Sequence, residues 1–175
     1  FPTRRSSDLE GRAILGGDAE LEFTYRRPNA EERAWMDARA VAVSETIDFR
    51  SMAVADSAAT GETERGLTQV RAVDDAYPLV GAAELAPDIP LAQALAQRDG
   101  RFGVVMEPLL IDRLGIEVGD VIRLGSNAFE VRASLERVPD AAASGFALGP
   151  RTLVHIEGLE GSGLLQPGSL YEAEG

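Results

Sequence analysis

The chain has 175 residues, of which 45% are hydrophobic and 26% charged, and its formal net charge is −12 at pH 7. This composition is typical of a globular protein, and the length suits one domain or two small lobes. All 17 basic residues are arginine, and the acidic excess argues against nucleic acid or an anionic membrane surface as a partner, because both attract basic proteins. The absence of cysteine excludes disulfides, thiolate chemistry and cysteine-based zinc sites.

The first forty residues predict a leader, a strand and a helix. Residues 1–9 show no periodicity and are interpreted as a non-native or disordered leader. Residues 19–25 alternate between apolar and polar side chains, which predicts a strand with one solvated face. Asn29 and Glu32 have the spacing of a capping box, and the helix that they open is expected to run to about residue 39.

The next segment predicts a hairpin, followed by a turn, a short helix and a linker. Residues 41–54 and 67–73 are rich in strand-forming side chains and are expected to pair. The small, polar stretch between them, residues 56–65, predicts a long, exposed and mobile hairpin loop. A turn over residues 74–81 follows, then a short helix over residues 91–96. Residues 97–101 are interpreted as a linker.

Residues 103–140 predict a strand, a helix and a hairpin. Glu107-Pro108 opens the helix, Gly115 closes it, and its apolar face is assigned to Leu109, Leu110 and Leu114. Strands over residues 121–124 and 129–133 follow, with Phe129, Val131 and Ala133 facing inwards and Glu130 and Arg132 facing solvent. This unit builds a small barrel-like lobe. A valine at Gly115 or Gly119 is expected to lower stability, because β-branched residues tolerate positive φ poorly.

Few side chains suggest chemistry, and each has a structural interpretation. His155, the one histidine, lies on a predicted strand over residues 152–156 without an evident nucleophile. Ser144 and Ser162 lack the G-x-S-x-G pattern of a nucleophile elbow. Asp74-Asp75 is interpreted as a turn rather than a cation site.

Two further motifs are also given structural interpretations. Gly16-Gly17-Asp18 lacks the spacing of a dinucleotide fingerprint. Trp35 and Met36 are interpreted as core residues, together with Ala34 and Ala38 at helical spacing, rather than as a binding anchor. No catalytic, cofactor-binding or metal-binding residue is assigned.

Five stretches together resemble the FtsX-like permease family of ABC transporters. They are ILGGD at residues 14–18, SETIDFRSMA at 44–53, AVDDAYPLVG at 72–81, LLIDRLGIEVGDVIRLGSNAFEVR at 109–132, and GFALGPRTLVHIEGLEGSGLLQPGSL at 145–170. The branch that they resemble most accompanies a secreted lysophospholipase or esterase. The region corresponds to the MacB-like periplasmic core domain of such permeases.

The resemblance implies an α+β fold in which a porter-like α/β lobe carries an inserted, small β-rich (barrel-like) lobe, truncated at both ends. Residues 10–80 would form the first part of the porter-like lobe, residues 81–159 the inserted lobe, and residues 160–175 a truncated return segment. The protein would lie in the plasma membrane with this segment on the extracytoplasmic side.

The implied role is not enzymatic and needs no cofactor. A separate cytoplasmic subunit would hydrolyse ATP, and this domain would carry the movement of the membrane helices to a periplasmic partner or lipid-linked cargo. Partners would be the rest of the permease, its ATP-binding subunit and a periplasmic lysophospholipase or esterase.

A hypothesis of another class is a free-standing hydrolase or ligand-binding domain built on the small barrel. It predicts a deep pocket that gathers Ser144, His155 and an acidic residue, and an inactive His155→Ala variant.

Overall fold

The computed structural model describes residues 21–24, 26–139, 149–165 and 171–174. Three short α-helices and ten strands lie in this part of the chain. In chain order the elements are β1 (Glu22–Thr24), α1 (Ala30–Asp37), β2 (Thr46–Asp56), β3 (Thr63–Val73), β4 (Glu84–Ala86), α2 (Leu91–Leu95), β5 (Gln97–Arg98), β6 (Arg101–Met106), α3 (Pro108–Leu114), β7 (Val121–Leu124), β8 (Asn127–Arg137), β9 (Arg151–His155), a 3-10 helix (Ile156–Leu159) and β10 (Tyr171–Glu174).

Six of the ten strands form a closed ring. Strand β2 pairs antiparallel with β3, β3 parallel with β9, and β9 antiparallel with β6. Strand β6 pairs parallel with β8, β8 antiparallel with β7, and β7 antiparallel with β2, which completes the circuit. Closure leaves no free edge within the ring. The predicted α+β class with a barrel-like β-rich part is confirmed.

The interior of the ring is the main hydrophobic core. Side chains alternate along each strand, so one face of every strand points inwards. Phe129 and Met106 are fully buried there, and α3 contributes Leu110 and Leu114 at one end of the ring. Thr68 and Thr152 are also fully buried, and their hydroxyl oxygens lie 2.7 Å apart, so the polar groups in this core satisfy each other.

A second apolar cluster lies on the outer side of β6, β8 and β9. Val105 and Leu153 point outwards from the ring and pack with Leu95 of α2. Ala133 of β8 belongs to this outer cluster, although strict alternation from Phe129 and Val131 predicted that it faces inwards.

Ala133 faces outwards because the pairing of β6 and β8 is irregular. Val104 pairs with Val131 and Val105 pairs with Ala133, so Arg132 is an extra residue on β8, as in a β-bulge. The predicted solvated position of Arg132 is therefore wrong, because its side chain is 5% exposed.

Helix α1 begins as predicted, but of the two large apolar residues assigned to the core, Trp35 and Met36, it buries only Met36. Asn29 caps it, and Glu32 returns the bond to the Asn29 amide, so the capping box is confirmed. Trp35 is 51% exposed, whereas Met36 is 5% exposed. The interpretation of Trp35 as a core residue is wrong, because this short helix meets the rest of the protein through its Met36 side; the Arg39 guanidinium covers the indole at 4.4 Å.

The β2–β3 hairpin is confirmed, but its loop is shorter than predicted. Both strands extend into the polar stretch, which leaves only residues 57–62 between them. Ser57 is buried, and its hydroxyl donates to the Gly115 carbonyl at 2.8 Å. The loop is therefore a compact turn that packs against the end of α3 through Ser57, while residues 58–62 are exposed as predicted.

Two other predictions need correction. Residues 97–101 are not a linker, because β5 and β6 form a tight hairpin through Asp99-Gly100, both with positive φ. On α3 the predicted apolar residue Leu109 is 58% exposed, and Ile111 is buried instead. The predicted end of α3 is confirmed, since Gly115 has a φ of 60° and a left-handed conformation.

Candidate functional site

A cleft of about 490 Å³ opens where the start of α1 meets the ends of β3 and β9. It holds the histidine and the aspartate pair that the sequence singled out. Its lining combines charges of both signs on four separate segments: Arg27, Pro28, Asn29, Ala30, Arg33, Glu45, Asp74, Asp75, His155, Ile156 and Glu157.

Glu45 is the centre of the charged groups in this cleft. Its side chain is 7% exposed, and Arg27 donates to it through two nitrogens at 2.5 and 2.8 Å. The Arg33 guanidinium lies 3.5 Å from the same carboxylate. A buried carboxylate is stable only when it is paired and hydrogen-bonded. The two arginines therefore hold the segment before α1, and α1 itself, against the start of β2.

Asp74 organises the turn after β3. Its carboxylate accepts from the Ser44 hydroxyl at 2.9 Å, the Glu45 amide at 2.7 Å and the Ala76 amide at 3.1 Å. Within the described part of the chain, the Asp74 carboxylate contacts only protein groups that fix the local backbone. The predicted turn at Asp74-Asp75 is confirmed.

His155 ends β9 and caps the following 3-10 helix. Its Nδ1 accepts from the Glu157 amide at 3.3 Å, and its ring stacks on Phe102 with centroids 6.0 Å apart. Its Nε2 lies 3.2 Å from an Asp75 carboxylate oxygen, close enough for an ion pair when the ring is protonated, although the geometry is not that of a hydrogen bond. Because Nδ1 accepts, a neutral ring carries its proton on Nε2, facing the aspartate.

The cap of α1, whose Asn29 lines the cleft, contains a carboxylate with a strongly lowered pKa, that of Glu32. The Arg26 guanidinium donates to Glu32 at 2.7 and 2.9 Å, and the Asn29 amide donates to it as well. These bonds stabilise the ionised form and lower the pKa of Glu32 to about 2. This carboxylate is part of the helix cap, so its perturbation has a structural cause.

The described lining of the cleft offers no hydroxyl, thiol or amine that could act as a nucleophile beside His155. Ser162 is buried, and its Oγ accepts from the Leu164 amide. Ser144 and residues 16–18 lie outside the described part of the chain. Among the described residues no group of three or more potential metal ligands occurs. The geometry therefore does not favour the hydrolase hypothesis.

Sequence reasoning missed the ion cluster around Glu45. Arg27, Arg33 and Asp74 are distant from it along the chain, and no local pattern joins them. The one signal was a glutamate directly before a strand that carries Ile47 and Phe49 near its start, since a glutamate at the edge of an apolar core needs a basic partner if it is buried.

No helix in the described part of the chain has the length and apolar character that crossing a bilayer requires.

Comparisons with known proteins place this geometry in context. No model of a protein family matches the chain. The chain is 27% identical over 163 residues to the uncharacterized ABC transporter permease YbbP of Escherichia coli (strain K12). This alignment covers 91% of the chain. The chain spans 18% of that relative's length.

A solved structure shows the same architecture. The periplasmic region of MacB from Actinobacillus actinomycetemcomitans superposes with a TM-score of 0.53 at 10% identity, over 97% of this chain and 79% of that one. The fold is that of the MacB periplasmic region. The extracellular domain of the noncanonic ABC-type transporter YknZ from Gram-positive bacteria aligns more weakly, at a TM-score of 0.44 and 11% identity, over 90% of this chain and 83% of that one.

The predicted resemblance to ABC transporter permeases with a MacB-like periplasmic domain is thus confirmed at this coarse level. The likeness to a particular branch of that family stays a prediction.

Proposed function

We propose that this chain is the extracytoplasmic domain of an FtsX-like ABC transporter permease in the plasma membrane. The observation that carries the proposal is the similarity to YbbP along 91% of the chain, together with the fold of the MacB periplasmic region. The cleft supports it indirectly, since its charged groups hold backbone segments together and do not surround a reactive group. On this proposal the domain is not an enzyme and needs no cofactor.

The role of the domain is to pass movement from membrane helices to a partner or to lipid-linked cargo outside the membrane. ATP would be hydrolysed by a separate cytoplasmic subunit, and the rest of the permease would hold the domain at the membrane. Transmission of this kind needs packed elements that move as units rather than a catalytic pocket. Residues 10–80 and 81–159 are proposed as a porter-like lobe and an inserted lobe that share the closed ring, since β2 and β3 come from the first segment and β6, β7, β8 and β9 from the second. Residues 160–175 are proposed as the return segment and residues 1–9 as a leader.

A reporter inserted into the complete gene tests the location of the domain. The β5–β6 turn is a suitable site, because Gly100 is exposed and an added Cβ there meets nothing within 4 Å. Alkaline phosphatase inserted at this turn should be active, and green fluorescent protein at the same turn should stay dark. If instead the green fluorescent protein fusion is fluorescent and the alkaline phosphatase fusion is inactive, the domain lies in the cytoplasm and the proposal is refuted.

The partners are tested by purification of the complete permease in detergent. An ATP-binding subunit encoded beside it should copurify, and ATPase activity should follow that subunit. We also propose a secreted lysophospholipase or esterase as a periplasmic partner. If the ATP-binding subunit copurifies but the neighbouring esterase never does, that partner is rejected while the transporter assignment stands.

A further inference from the structure

The outer face of the β2–β3 hairpin carries an exposed apolar pair. Met52 and Leu67 are direct partners across the two strands, and they are 44% and 45% exposed. Opposed residues in an antiparallel pair have Cβ atoms about 5 Å apart. The two side chains therefore form one apolar surface in the middle of the hairpin, unlike the isolated apolar residues that are common on protein surfaces.

Three exposed arginines surround this pair. Arg50 lies two residues before Met52 on β2, and Arg65 lies two residues before Leu67 on β3. Because the strands are antiparallel and alternate residues share a face, the two arginines flank the pair on opposite sides. Arg123 of β7 lies in the same cross-strand row as Arg65, on the far side of β2. These five residues are called the arginine-rimmed patch.

The charges of these arginines are not neutralised by the described residues. Arg50, Arg65 and Arg123 form no ion pair there. Two aspartates of β2 share this face. Asp48 is paired with Arg71 at 2.9 and 2.6 Å, whereas the Asp56 carboxylate accepts from the neutral Thr63 hydroxyl at 2.7 Å and keeps its charge, which leaves, among the described residues, one unpaired aspartate beside three arginines. A local excess of positive charge thus surrounds an apolar centre on a chain whose formal net charge is −12.

We propose that the arginine-rimmed patch docks an acidic protein segment that places apolar side chains between its carboxylates. Methionine and arginine are enriched at protein interfaces, and charge complementarity selects an acidic partner. Symmetric pairing of two copies through this patch would set arginine against arginine. An anionic membrane would meet the strong negative charge of the whole domain. The proposal goes beyond the proposed function and does not depend on it.

The test uses the 175-residue chain and a synthetic peptide of alternating glutamate and leucine. Backbone amide shifts in NMR spectra should change saturably on titration, with the largest changes on β2, β3 and β7 around the patch. The variant R65E/R123E should bind the peptide about tenfold more weakly, because two attractive charges become repulsive. The control variant R98E/R101E makes the same charge change at exposed arginines of the β5–β6 hairpin and should bind within about twofold of the parent.

The apolar centre is tested separately. The variant M52A/L67A should bind the peptide about fivefold more weakly, while the salt dependence of binding stays that of the parent, because the rim charges are intact. Thermal melts of all three variants should match the parent, since every substituted side chain is exposed.

Several results would overturn the proposal. Equal weakening by R65E/R123E and R98E/R101E would mean attraction by overall charge alone, and an absence of saturable shifts would mean that the patch does not recognise acidic segments. Binding to phosphatidylglycerol vesicles without binding to the peptide would identify a lipid surface instead. Self-association that R65E/R123E abolishes would identify a second copy of the chain as the occupant.

Discussion

Replacement of Arg132 by methionine should be strongly destabilising, although the sequence pattern placed this residue in solvent. The guanidinium is buried at the bulge of β8, where it donates to the Ala96 carbonyl, to the Ala94 carbonyl at 3.4 Å and to the Arg101 carbonyl at 3.2 Å. These bonds join the end of α2 and the start of β6 to β8. Methionine keeps most of the aliphatic stem but removes every donor.

The magnitude follows from the bonds that are lost and from what offsets them. A hydrogen bond from a charged donor contributes about 1.5–3 kcal/mol, and three acceptors lose such a donor. Two terms reduce the loss: the buried guanidinium no longer has to be desolvated, and the Ala96 carbonyl keeps its bond from the Gly103 amide. We therefore expect the free energy of unfolding to fall by about 3 kcal/mol, which lowers the melting temperature by about 6–12 °C in a chain of this size.

Urea denaturation followed by circular dichroism measures this loss, and two control variants define its origin. Arg98→Met changes an exposed arginine of the neighbouring hairpin and should stay within about 0.5 kcal/mol of the parent. Glu130→Gln removes the 3.2 Å ion pair to Arg132 at a partly exposed position and should cost less than about 1 kcal/mol. If Arg132→Met unfolds within 0.5 kcal/mol of the parent, the carbonyl contacts do not stabilise this part of the fold.

Three further outcomes follow from the described contacts. Gly103→Ala should lower the free energy of unfolding by about 3 kcal/mol in urea titrations, because its Cβ would overlap the Ala94 carbonyl; an unchanged midpoint would show that α2 moves aside. Gly115→Val should lower the melting temperature in calorimetry, since φ is 60° and the Ser57 hydroxyl lies 2.5 Å from the added Cβ; unchanged melting would contradict this. Glu32 has a lowered pKa, so it contributes stability above its ordinary pKa of 4.5 that is lost as the pH falls towards about 2. As the pH is lowered across that range, the urea midpoint should fall less steeply in Glu32→Gln than in the parent. Parallel curves for the two proteins would show that Glu32 does not contribute to the pH dependence of stability.

The parts of the fold that depend on local backbone chemistry could be predicted from the sequence. The capping box of Asn29 and Glu32 needs only neighbours within one helical turn, and so does the left-handed Gly115 that ends α3. The Asp99-Gly100 hairpin carried an equally local signal, since this dipeptide favours a tight two-residue turn. Its interpretation as a linker overlooked that signal.

Features that depend on distant contacts could not be predicted. Alternation along β8 gives no warning of the bulge at Arg132, because the extra residue is fixed by pairing with β6. Trp35 and Met36 are adjacent and both apolar, and only the packing of α1 decides which one is buried. The cleft around Glu45 depends on four segments that meet only in the folded chain.

The β2–β3 hairpin connects two regions that matter for the proposed movement. Each strand has 11 residues, and a strand of this length spans about 36 Å. Near its start β2 pairs with β10, which itself pairs with β1, while at the other end the Ser57 hydroxyl binds the Gly115 carbonyl. If the proposed movement of membrane helices reaches the domain through β1 and β10, a displacement there would pass along a continuous paired ladder to α3. Met52 and Leu67 lie between the two ends, so a segment bound at the arginine-rimmed patch would move with the hairpin rather than with a hinge.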